Sequence, residues 1–303
     1  MFSFTEARDK LQGILSKGTK VYTLAEFDAE VRKFADTAPH AKLWFRGHES
    51  ATWHLRPPAL RDSTPHKAHD YVRRECHMFV ELKRRGIAFV DSPPRSDWGW
   101  LYLAQHHGVP TRLLDWSEGS HLALYFALAN RKENDTSDAC VWMLNPGELN
   151  RRNWGFSDVV TLETEHPEPA LLLNPYRHGT QPYRQAERRR VFKAGSRRAI
   201  RKTTTKRTQR ILAVIPEHVT PRLRAQRGAF VAFADDPDAL LAQLLEEEGQ
   251  FDSPLCSPVL IDGSSCESLE QELDRAGVAA STVYPDMTGF GGELARRHNL
   301  LRW

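Results

Sequence analysis

Residues 105–127 read QHHGVPTRLLDWSEGSHLALYFA. Gly108 with Pro110 just beyond it is the normal order of a helix stop, so a helix capped by Asp97 is expected over Trp98–His106. At the far end Ser117 stands as a candidate N-cap for a helix over His121–Asn130, apolar almost all round and therefore expected to be buried. Between the two helices crowd side chains that move protons or make hydrogen bonds: Gln105, His106, His107, Thr111, Arg112, Asp115 and Ser117. A helix N-terminus near Ser117 offers backbone N–H groups and a positive dipole end to an anion. A plainer reading keeps His106 and His107 as caps of the first helix and pairs Asp115 with Arg112.

Upstream, residues 41–46 (AKLWFR) form a short apolar run stopped by Gly47, expected as a buried strand with Arg46 at its end. In Trp44-Phe45-Arg46-Gly47-His48 the guanidinium suits bidentate binding of phosphate, and glycine lets backbone approach it closely. A structural ion pair beside a turn glycine is the competing reading. A capping box, Thr23-x-x-Glu26, opens a helix with Leu24, Phe27, Val31 and Phe34 in step. Asp70–Arg85 is helical in pattern, with Val72, Cys76, Phe79 and Val80 on one face. Downstream, Ala139–Leu144, Ile211–Ile215, Ala229–Phe233 and Pro258–Ile261 read as strands. Asp236-Pro237 opens a helix running to Gly249, another carries Leu269 and Leu273 to Gly277, and a helical tail follows Gly292. Residues 147–206 are polar and rich in proline and arginine, and yield no assignment. Strands and helices alternate without regular βαβ spacing, which predicts an α+β domain with a central mixed or antiparallel sheet flanked by helices. The expected divisions are an N-terminal helical segment over 1–38, the domain over 39–290 and a tail over 291–303.

The 303 residues carry 42 Lys and Arg against 39 Asp and Glu, a formal net charge of +3, with 40% hydrophobic and 27% charged residues. Collagen-like and wholly disordered chains are excluded by that composition. The near-balance of charge conceals an uneven distribution. Between Arg184 and Arg210 stand twelve basic residues and one acid, a net of +11, which leaves −8 for the rest. Arg188, Arg189, Arg190, Lys193, Arg197, Arg198, Arg201 and Lys202 lie in this window and are candidates for nucleic-acid phosphates. A basic loop held by the acidic body is the alternative. The longest apolar run, Leu122–Ala129, is too short to span a bilayer, and the start MFSFTEARDK places charges where a signal peptide needs its apolar stretch. Cys76, Cys140, Cys256 and Cys266 are scattered. A cytoplasmic chain without a disulfide framework is expected.

Other chemistries fit poorly. No G-x-G-x-x-G follows a strand, no G-x-x-x-x-G-K-[ST] is present, and no G-x-S-x-G surrounds a serine. His106, His107, Asp115 and His121 match no metal spacing, since adjacent histidines on one helix point about 100° apart. A third polar stretch, Arg222-Leu223-Arg224-Ala225-Gln226-Arg227-Gly228-Ala229-Phe230, precedes an apolar strand and is a solvated turn unless the fold brings it to the first two.

Taken together, Phe45-Arg46-Gly47, the run from Gln105 to Ser117 closing on Ala123-Leu124-Tyr125-Phe126-Ala127, the element Ala225-Gln226-Arg227-Gly228-Ala229-Phe230 and Tyr284-Pro285-Asp286 resemble the FRG domain family. The resemblance extends over about residues 40–290, with 184–210 as an insertion. A weaker resemblance is to ADP-ribosyltransferases, in the order Arg at a strand end, Ser before an Ala-x-x-Phe-Ala helix, and a polar residue ahead of a late strand. That resemblance implies an ADP-ribosyltransferase-like fold and NAD as co-substrate. Arg46 and Arg112 would then hold the pyrophosphate, with Gly47, His48 and Thr111 also at the cofactor, Trp116 or Tyr125 would stack on nicotinamide or adenine, and Ser117 would bond the nicotinamide ribose. His107 would orient the sugar or act as base toward the acceptor. Gln226 stands where the resemblance expects glutamate. An amide offers an oxocarbenium-like transition state only a dipole and a hydrogen bond, which leaves three readings: Gln226 takes a weaker or target-orienting catalytic role, another carboxylate supplies the charge with Asp115 the candidate, or activity is lost.

Two further classes stay open: a non-catalytic nucleic-acid-binding module built on the basic segment, and a nuclease or hydrolase built on His106, His107 and Asp115. The combination expected is a transferase that modifies a macromolecular acceptor, with nucleic acid the one the basic segment suits, in a toxin or phage-defence setting.

Overall fold

A computed structural model of the chain describes residues 2–61, 68–132, 135–159, 161, 211–216, 221–234, 236–246 and 254–298. The basic window from Arg184 to Arg210 lies outside the described residues, and so do its eight candidate phosphate-binding side chains.

The chain enters through α1 (Phe4–Leu15), closed at its start by a reciprocal Ser3–Glu6 capping box. Next come β1 (Thr19–Val21), α2 (Leu24–Asp36) capped by Thr23, and β2 (Trp44–His48). Further along follow α3 (Ala68–Gly86), α4 (Asp97–His106), β3 (Leu113–Ser117) and α5 (Ser120–Leu128). Then come β4 (Ala139–Leu144) and α6 (Pro146–Trp154). Asn145 at the N-cap with Pro146 inside it starts α6, and Gly155 with φ 83° stops it. The remainder is β5 (Ile211–Val214), α7 (Pro221–Ala225), β6 (Gly228–Phe233), α8 (Ala239–Glu246), β7 (Cys256–Ile261), α9 (Cys266–Arg275), α10 (Ala280–Val283) and α11 (Met287–Arg297).

All seven strands join one mixed sheet in the order β1-β7-β4-β2-β3-β6-β5. β1 runs parallel to β7 and every other pair is antiparallel. The fold is therefore α+β, a single sheet flanked by helices. One face buries Trp44, Leu114, Trp116, Trp142 and Val231 under Leu11, Leu149 and Leu240 from α1, α6 and α8. The other face carries two separate clusters. Phe45, Val141 and Val259 pack beneath α2, α5 and α9, while Leu113, Leu212 and Phe230 pack beneath α3 and α4. The boundary between these two clusters runs along β3.

Three expectations change. Thr111–Ser117 is not a simple loop into a helix: Leu113–Ser117 is a central strand, paired with β6 at five positions. Ser117 therefore ends a strand, and Gly119 is the N-cap of α5. Arg46 lies in the middle of β2, which continues through His48. Two smaller differences concern helices. Ser96, rather than Asp97, caps α4, and Val80 points to solvent rather than into the core.

Candidate functional site at the fork between β2 and β3

β2 is paired with β4 along all five of its residues, yet with β3 only at Phe45–Ser117. Pairing stops there, and Arg46, Gly47 and His48 run on without a β3 partner. Unpaired backbone groups inside a sheet need other partners. The side chain of Arg46 supplies one, its Nη1 donating to the Asp115 carbonyl at 2.6 Å. Its Nε donates to His48 Nε2 at 2.9 Å. Nη2 makes no hydrogen bond among the described residues. Burial brings the Arg46 pKa down to about 10, against the pull of Asp115 and with a push from Arg61, so the group stays charged at neutral pH. Burial holds His48 well below the usual 6.5, and the charges of Arg46 and Arg61 act in the same direction. A neutral His48 is what an acceptor at Nε2 requires.

Asp115 stands at the other side of the fork. Its carboxylate lies 3.8 Å from Arg46 Nη1, with the Asp115 side chain 50% exposed against 13% for Arg46. Gln105 at the end of α4 donates Nε2 to both carboxylate oxygens, at 3.0 and 2.9 Å. Its own carbonyl accepts from Thr111 Oγ1 at 2.6 Å. Gly108, with φ 75°, makes the turn that brings α4 back to β3 and lets this relay close. The carboxylate is thus aimed from behind while its outer side meets water.

Ser117 donates Oγ to the Gln226 carbonyl at 2.9 Å and accepts from Gly119 N at 3.1 Å. The reversal between α7 and β6 is made by Arg227 in the left-handed region, φ 44°, whose carbonyl accepts from Glu118 N. Gln226 meets Ser117 through its backbone, while its amide reaches Val283 O at 3.4 Å. The guanidinium of Arg222 lies 4.5 Å from the Tyr284 ring centroid, and that ring meets Phe126 of α5. Burial raises the Tyr284 pKa. His106 packs edge-on against an exposed His107, and burial, then His107 and Arg222, lower its pKa against the pull of Asp286. Asp286 itself accepts from Thr288 N and Gly289 N at the start of α11. The first polar stretch therefore meets the second where Arg46 reaches Asp115, and the second meets the third where Ser117 bonds the Gln226 carbonyl.

Several expected ligand contacts have other tasks. Arg112 is 3% exposed, donates Nε to Glu75 at 2.5 Å and bonds the Ala234 carbonyl, so it locks α3 to β3 and β6 and does not face a phosphate. Nor does it pair with Asp115. Trp116 is buried on the opposite face of the sheet from Ser117, within the cluster of Trp44 and Trp142, and Tyr125, within α5, is 4% exposed. Trp116 offers no ring face to a ligand, whereas Tyr125 lines a cavity with Arg222, Tyr284 and Asp286. Thr111 is fully buried and serves Gln105. A Cβ on Gly47 would meet Ala123 O at 2.0 Å, so this glycine admits α5 to the sheet. Sequence reasoning passed over Gln105 and Glu75 as partners. The spacing from Gln105 to Thr111 and Asp115 across a helix stop is the signal that points to the first.

Among the described residues, no helix is long and apolar enough to cross a membrane. No curated protein and no solved structure matches the chain. The FRG domain model matches residues 41–136, which takes in β2, α3, α4, β3 and α5, the elements that build the fork. The Phe45-Arg46-Gly47 and Gln105–Ser117 motifs both fall inside that stretch, so it is residues 41–136 that are similar to the FRG domain.

Proposed function

We propose that this protein is an ADP-ribosyltransferase that takes NAD at the fork between β2 and β3 and passes ADP-ribose to a nucleic-acid acceptor. The observation that carries the reading is the pairing of a charged, largely buried Arg46 with an uncommitted Nη2 and a half-exposed Asp115 carboxylate across a gap in the sheet. The arginine suits the pyrophosphate, since a guanidinium edge binds phosphate oxygens with two parallel hydrogen bonds. The carboxylate suits the reacting sugar.

In the reaction the bond between nicotinamide nitrogen and ribose C1 breaks, and nicotinamide leaves with the electron pair as a neutral base. Positive charge spreads over C1 and the ring oxygen. A preoriented carboxylate stabilises that charge, and removing one such electrostatic contact costs about 3–4 kcal/mol. The acceptor then gives an electron pair to C1 and loses its proton, for which exposed His107 is the base at hand. Asp115, held by Gln105, takes the electrostatic role that Gln226 lacks the charge to fill. Ser117, two residues on from Asp115 in β3 and bonded to the Gln226 carbonyl, is assigned to the sugar.

The test is nicotinamide release from NAD with nucleic acid present. D115N keeps size and loses charge, and a fall in kcat of about 100-fold or more is expected from a loss of about 3 kcal/mol. Unchanged release in D115N, with an unchanged thermal midpoint, would overturn the assignment of Asp115.

A further inference from the structure

On the His48 side of Arg46, residues 49–61 have little regular structure yet are firmly anchored. Ala51 N donates to Asp138 O, and Ala59 N to Thr111 O. Arg56, 3% exposed, grips Asp238 through Nε and Nη2 at 2.7 and 2.9 Å, and its Nη1 reaches the Arg61 carbonyl. A loop held this way presents its exposed side chains in fixed places. Among the described residues, two of them make no side-chain hydrogen bond or ion pair. The Trp53 ring is 49% exposed and lies 6.0 Å from the ring of His48, the residue that holds Arg46. Arg61 is exposed, pairs with no acid among the described residues, and its charge bears on both Arg46 and His48. Like charges brought together cost energy unless an anion joins them.

We infer that Trp53 and Arg61 form a subsite for a purine nucleoside diphosphate, with Trp53 stacking on the base and Arg61 joining Arg46 at the phosphates. This rests on the transferase reading and gives the dinucleotide its direction: adenine at Trp53, pyrophosphate across Arg46 and Arg61, nicotinamide ribose toward Asp115. It also supplies a half-exposed aromatic ring beside Arg46, which the buried Trp116 does not. Stacking on an exposed indole is tolerant of base identity, so the site selects purine over pyrimidine by ring area rather than by hydrogen bonding.

The experiment is calorimetric titration of the full-length protein with ADP-ribose and with ADP. The wild type is expected to bind both. W53A weakens each by about 10- to 100-fold while W53F recovers most of the loss, and R61Q weakens binding and flattens its salt dependence. Wild-type affinity in both W53A and R61Q, or no binding of either ligand by the wild type, overturns the subsite. If ADP-ribose binds through Trp53 but nicotinamide is never released, the transferase reading fails and the subsite stands. If nicotinamide is released and W53A leaves KM for NAD unchanged, the subsite fails and the transferase reading stands.

Discussion

His48 accepts from Arg46 through Nε2, and that bond fixes a neutral ring in the folded state. The consequence for stability has a definite sign. Above about pH 6.5 the ring is neutral in both folded and unfolded chains and contributes no pH dependence. Below it the unfolded chain takes up a proton that the folded chain refuses, so stability falls with pH, by up to about 1.4 kcal/mol per unit for one proton. H48Q keeps an acceptor for Arg46 Nε and removes the titration. Denaturant melts between pH 7 and 5 should show a shallower loss in H48Q than in wild type, and identical slopes would contradict this account of the ring. Arg112 teaches the opposite lesson about single residues. Its partner Glu75 stands 37 positions away on a helix whose pattern gives no sign of a buried acid, so the sequence left Arg112 looking available for phosphate. Asp115 is legible as a candidate because Gln226 lacks the charge expected at its place, but its holder Gln105 emerges only once the turn at Gly108 is closed.

At the scale of elements, β4 to β7 were readable because each is a short apolar run bounded by turn formers. β3 was not. Pro110 just ahead of it and Asp115 within it argue against a central strand, and Ser117 at its end has the chemistry of an N-cap. The missing reason was tertiary, since β6 pairs with all five of its residues and Gln105 satisfies its one acid. The packing of α5 on β2 depends on a missing side chain. At Gly47 a Cβ would press on Ala123 O and, at 2.6 Å, on Ala127 N, both helix backbone that cannot swing aside. G47A is expected to destabilise the protein by about 3 kcal/mol, the upper range for overpacking. Its effect on activity should follow, because α5 and β2 together set one wall of the fork. A denaturation midpoint equal to wild type would show that the helix has more room than the backbone contacts allow.

For the whole molecule, charge and fold divide the work. The sheet, its helices and the fork belong to the part of the chain with net charge −8, and the +11 window carries none of the motifs that converge on β3. An acidic body with a concentrated basic segment suits an enzyme that draws a polyanion toward a site that does not itself attract one. The α+β class followed from the irregular order of strands and helices, but the strand order, which puts β2 beside β3 and opens the gap, depends on pairings between distant segments that no local pattern encodes. The most direct measurement is mass spectrometry of nucleic acid and of protein acceptors after incubation with the full-length chain and NAD. The account predicts an ADP-ribose adduct on nucleic acid, formed with equimolar nicotinamide, absent with D115N and much slower when the basic residues of 184–210 are neutralised. Unmodified acceptors of both kinds and intact NAD with the wild-type protein would contradict it.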